Sequence, residues 1–159
     1  MSRRPPLALL VASQLAALAT SCAASPQPGQ SAVPVVPVAG LSPAALRACA
    51  AVTAALPREV TAGAGRRSTS PADPTVAAWG DPPVVLRCGV PAGSPRDDPY
   101  VFDGVRWAMH DSGATRTWTT LGRRVGVEVV IPDAYDGQAE LLGGLATALA
   151  PAALPPTAR

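Results

Sequence analysis

The sequence predicts an α+β domain: an antiparallel sheet of four or five strands packed against an N-terminal and a C-terminal helix, held by one disulfide. Three observations predict it. Near both ends of residues 42–151, apolar residues recur every three or four positions, the period of a helix with one buried face. Between those stretches the period falls to two, as in strands with one face turned inward. Two cysteines, Cys49 and Cys88, fall on the inward sides of one helix and one strand.

Ser42-Pro43 opens the first helix, because a serine hydroxyl accepts from the free amides of the first turn and proline suits a position that needs no donor. Leu46, Cys49, Val52 or Thr53, and Leu56 form its inward stripe, and Pro57 stops it. Residues 61–74, TAGAGRRSTSPADP, read as a mobile surface loop; their Gly-x-Gly is too little for a phosphate loop. Val84, Leu86 and Cys88 share one face of a strand. A short strand at Tyr100 to Phe102 turns at Asp103-Gly104 into Val105, Trp107 and Met109. Asp111-Ser112-Gly113 turns again into Thr115 to Thr120, and Val125, Val127, Val129 and Ile131 form an inward row ended by Pro132. The last helix is expected from about Gln138 to Ala150, weakened by Gly143-Gly144.

The N-terminus reads as an address. Arg3 and Arg4 precede an apolar run from Leu7 to Ala19 and then small residues, the order of a cleaved signal peptide. Ser13 and Gln14 interrupt that run, which falls short of the roughly 20 apolar residues that cross a bilayer. Ala19-Thr20-Ser21-Cys22 resembles a bacterial lipobox, whose cysteine is diacylated and becomes the new N-terminus, although Leu18 stands four places before Cys22 instead of three. Ordinary signal-peptidase cleavage nearby and an uncleaved anchor are the alternatives. The expected organisation is a signal peptide over 1–21, lipidated Cys22 with a Pro-rich tether over 22–41, the domain over 42–151 and a disordered tail over 152–159.

Assigning Cys22 to lipid leaves Cys49 and Cys88 as a pair that can bridge in an oxidising compartment; two buried free thiols are the alternative. A distant thiol pair and a single histidine do not make a zinc site, and no cofactor motif is present. The formal charge of +2 vanishes if Arg3 and Arg4 leave, with eleven basic residues then facing eleven acidic ones. A near-neutral domain has no general pull on phosphates, so nucleic acid is not an expected partner.

The run Ala78-Trp79-Gly80-Asp81-Pro82-Pro83-Val84-Val85-Leu86-Arg87-Cys88-Gly89-Val90, with Ala48-Cys49-Ala50, Trp118-Thr119-Thr120 and Val129-Val130-Ile131-Pro132, resembles the family catalogued as domain of unknown function 3515. The resemblance covers about residues 41–151. It implies a small exported protein or lipoprotein of high-GC Gram-positive bacteria and brings no reaction and no catalytic residue.

The residues that can carry chemistry each have a plainer structural account. His110 and Asp111 have the types of a general base and its orienting partner, but adjacent strand residues face opposite ways. Asp97, Asp98 and Asp103 cluster as calcium ligands do, without the glycine-punctuated spacing of a calcium loop. Serines 68, 70, 94 and 112 lack a nucleophile elbow. Trp79, Trp107 and Trp118 are candidates to line a groove for sugar or peptide, while a small Ala-rich core also needs large side chains. Arg87, Arg106 and Arg116 are candidates for a basic outer sheet face that meets an acidic wall polymer. The expected protein is therefore a non-catalytic binding or scaffolding module at the outer face of the cytoplasmic membrane, held there by lipid, with an envelope protein or cell-wall partner. The alternative is a small cell-wall-directed hydrolase or transferase.

Overall fold

The computed structural model describes residues 31–94 and 99–149. The expected signal peptide 1–21, Cys22, residues 23–30 of the expected tether, Asp97, Asp98 and the expected tail 152–159 lie outside the described residues.

Helix α1 spans Pro43–Ala55 and begins as its cap dictates: Ser42 accepts from the Ala45 amide at 3.2 Å, with proline in the first turn. Leu56 leaves the helix in an extended conformation ahead of Pro57. Cys49, Val52 and Leu56 face the core as the spacing predicts, but Leu46 stands 43% exposed. Leu41, just before the helix, lies against Gly89 instead.

Nine strands follow from pairing among the described residues: β1 (Val33–Pro34), β2 (Arg66–Arg67), β3 (Thr69–Ser70), β4 (Val76–Trp79), β5 (Val84–Val90), β6 (Tyr100–Phe102), β7 (Val105–Asp111), β8 (Thr115–Thr120) and β9 (Gly126–Pro132). Seven of them form one antiparallel sheet in the order β2-β4-β5-β9-β8-β7-β6. The expectation of four or five strands is thus corrected to seven. β4 escapes a periodicity search because all four of its residues are buried, so nothing alternates. β2 and β3 lie in the stretch read as loop, and tertiary pairing makes them strands: β2 pairs with β4, and β3 pairs in parallel with β1.

β1 falls within residues 22–41, the stretch expected to be a tether. The Val33 amide donates to the Ser68 carbonyl at 2.9 Å and the Val35 amide to Ser70 at 3.0 Å, and Val33 is buried.

Turn chemistry sets the registers. Asp103 and Gly104 both take positive φ, at 45° and 79°, the two-residue turn that joins β6 to β7 without splaying them. Gly80, φ 66°, starts the β4–β5 turn, where a Cβ would strike the Tyr135 hydroxyl. The resulting register places Ala77, Leu86, Val129, Trp118 and Met109 in one cross-strand row on the inner face. That face meets Cys49 and Val52 of α1, Leu56 just after it, and Leu141, Leu142 and Leu145 of α2 (Gln138–Ala146) in one apolar cluster.

The Cys49–Cys88 disulfide joins α1 to β5 across 5.4 Å between Cα atoms, with both residues fully buried. α1 packs on β5, whereas α2 packs on β6 at the sheet edge. α2 also ends earlier than expected. After Ala146 the chain tightens into turns in which the Leu149 amide donates to both Leu145 and Ala146, following the helix-weakening Gly143-Gly144 pair. Among the described residues no helix is long and apolar enough to cross a membrane.

Candidate functional site

The candidate site forms where the β7–β8 turn, the end of β9 and the start of α2 converge. Alternation along β7 and β8 puts Met109, Asp111, Arg116 and Trp118 on the inner face, and Arg116 stands beside Ile131 of β9. The turn itself is locally satisfied: the Gly113 amide donates to Asp111 Oδ1 at 2.7 Å, and the Ser112 amide to the Thr115 carbonyl at 3.0 Å. Arg116 bridges two carboxylates, Asp111 through Nε at 3.2 Å and Asp133 through Nη2 at 2.9 Å. The Gly113 amide, followed by Arg116, holds the Asp111 carboxyl below its ordinary value.

Beyond β9, the segment Asp133-Ala134-Tyr135-Asp136-Gly137 folds back over this end. The Asp133 amide donates to the Ala114 carbonyl at 3.0 Å, and the Tyr135 hydroxyl to the Pro82 carbonyl at 2.8 Å. Burial pushes the Tyr135 phenol above its usual range. Gly137 is the left-handed residue that caps α2, and no side chain caps that helix start.

Gln138 then sits under the lip, 8% exposed, with Oε1 accepting from the Trp118 indole Nε1 at 3.0 Å. Its Nε2 is buried and has no protein partner. Met109, Arg116, Trp118, Asp133, Tyr135, Asp136, Gly137 and Gln138 enclose a concavity of about 530 Å³.

The sequence-predicted residues distribute unevenly. Trp79 and Trp107 are fully buried in the core, so the three tryptophans do not line a common groove. Trp79 Nε1 donates to the Pro57 carbonyl at 3.0 Å, while Trp107 Nε1 is buried without a partner. Only Trp118 borders the concavity, packed edge-on against Tyr100 and Phe102 with ring centroids 5.3 and 5.6 Å away.

His110 is exposed and pairs across to Thr117, one face away from Asp111 and Arg116, so the two neighbours do not cooperate. Asp103 sits in the β6–β7 turn near Gly143 of α2. The expected basic outer face is corrected as well. Arg87 is bound to Glu128 at 2.6 Å, and Arg116 belongs to the inner face because it lies two residues from Trp118. Among the described residues no three His, Cys, Asp or Glu side chains come together to hold a metal.

Sequence reasoning missed Asp133, Tyr135, Asp136 and Gln138. The available signal was a short acidic and aromatic segment between a strand-ending proline and a glycine-started helix.

Fold and site together define a small disulfide-stapled α+β domain with one open polar end. A family model described as a protein of unknown function (DUF3515) matches residues 6–156, and the chain belongs to that family. No curated protein and no solved structure matches the chain.

Proposed function

We propose that the chain is an exported, non-catalytic binding module of the cell envelope, held at the outer face of the cytoplasmic membrane by an acylated Cys22 and presenting its folded domain to an envelope partner. The observation that carries this reading is the buried Cys49–Cys88 bridge, since structural disulfides of small domains belong to oxidising compartments. The basic and apolar order of residues 3–19 and the small residues before Cys22 supply the matching address. One acyl chain gives only marginal membrane binding, and the two chains of a diacylated cysteine give stable anchoring. The hydrolase or transferase alternative draws on His110 or on the aspartates at 97–103; His110 and its neighbour Asp111 leave β7 on opposite faces, which disfavours the first of these.

The test is fractionation of the producing cell, with N-terminal mass spectrometry and alkylation of thiols before and after reduction. The expected result is a membrane-bound chain beginning at acylated Cys22, released by Cys22→Ala, with Cys49 and Cys88 alkylated only after reduction. A cytosolic chain beginning at Met1 with both thiols free overturns the proposal.

A further inference from the structure

We infer that the concavity at the start of α2 is a binding site for an uncharged polyhydroxyl ligand, an oligosaccharide segment, recognised by Gln138 Nε2 and the carboxylates of Asp133 and Asp136.

Chemistry at the site narrows the ligand class by elimination. A buried amide donor without a partner is destabilising, so Gln138 Nε2 marks where an acceptor belongs. The uncapped start of α2 adds backbone donors at the same place. An anion satisfies those donors but meets Asp133 and Asp136 on the same wall, against a single arginine already bridging Asp111 and Asp133. A cation suits the carboxylates and leaves the Gln138 donor unanswered. An apolar ligand answers neither.

A hydroxyl both donates and accepts, so a polyol meets the carboxylates and the amide donors at once. Tyr135 and Met109 supply apolar surface for the ligand's C–H faces. The volume of about 530 Å³ falls within the roughly 300–1,000 Å³ of small-ligand sites.

A peptide is the rival occupant. An extended peptide gains its main-chain bonds at a free strand edge; β8 and β9 are interior to the sheet, while β6 pairs with β7 only over residues 105–107, so the peptide arm of the titration decides between the two.

The inference rests on the reading of the chain as a binding module, and the two fail separately. A membrane-anchored, disulfide-bonded chain that binds no saccharide sinks the site and leaves the envelope module standing. A cytosolic chain with free thiols sinks the module whatever the site binds.

The experiment is calorimetric and tryptophan-fluorescence titration of the full oxidised chain with chitotetraose, with maltotetraose, with a blocked neutral tetrapeptide and with inorganic phosphate. Saturable binding of at least one tetrasaccharide is expected, with the peptide and phosphate weaker or silent. Gln138→Glu keeps an acceptor for Trp118 while removing the donor, and weakens saccharide binding about tenfold. Asp136→Asn, at an exposed position that spares the fold, weakens it about threefold. His110→Ala, on the other sheet face, leaves it unchanged. Preference for the peptide or phosphate, no saccharide binding by a chain whose circular dichroism is native, or binding indifferent to both site variants overturns the inference.

Discussion

The two ends of the inner sheet face are built on opposite terms. Where α1 crosses β5, the chain is closed: Cys49 and Cys88 are bonded and fully buried, and Val52 and Leu56 fill the space around them. Where α2 begins beside β7, β8 and β9, the chain is open: charged and amide groups line a concavity, and a buried Gln138 donor is left over. A small domain needs the first kind of end for stability, because its core alone supplies little margin. The second kind adds nothing to stability that an apolar plug would not, and that is the physical reason to look for a ligand there.

Breaking the closed end is expected to have the largest effect. Cys49→Ser with Cys88→Ser removes a bridge between residues 39 apart, worth about 4 kcal/mol in the chain-entropy account. Urea unfolding of the double variant against the oxidised wild type measures it, and a loss below about 1 kcal/mol would mean that packing, not the bridge, holds α1 on β5.

A sharper comparison uses two buried tryptophans. Trp79 and Trp107 are equally buried, but only Trp79 has a partner for its indole donor. Trp79→Phe strands the Pro57 carbonyl, while Trp107→Phe removes an orphan, so the Trp79 variant loses about 1–3 kcal/mol more. Equal losses in denaturant midpoints at unchanged m would refute the assigned hydrogen bonds.

The smallest expected effect lies in the open end's turn. Asp111 has a folded pKa below its ordinary value of 3.8, so its contribution is complete above that value and fades as pH falls through the lower folded one. Asp111→Ala should therefore lower stability slightly at neutral pH and flatten the acid limb below about pH 4, with the two curves meeting at the acid end. A variant curve parallel to that of the wild type throughout would show that the Gly113 and Arg116 contacts do not form in solution.

Legibility in the sequence follows the same division. Ser42-Pro43, Asp103-Gly104 and the Val127-Val129-Ile131 row act over a few residues, so the helix start, the hairpin and the inward face of β9 were readable from local chemistry. β2 and β4 were not, because Arg66-Arg67 has no strand signature of its own and Val76–Trp79 has no alternation. Arg116 is an intermediate case. It was expected on the outer face, but its two-residue spacing from Trp118 puts it on the inner one, beside Ile131 and at the rim of the concavity.

The sequence by itself determined the caps and turns, the strand period and the cysteine pair, all of which rest on residue identity at short range or on simple arithmetic. Tertiary structure alone decided that β2 and β4 extend the sheet to seven strands, that α2 lies at the β6 edge, and that Gln138 meets Trp118 beside Asp133 and Tyr135. Those outcomes depend on which distant segments share a face once the apolar surface is buried, and neither period nor propensity along a chain encodes that choice.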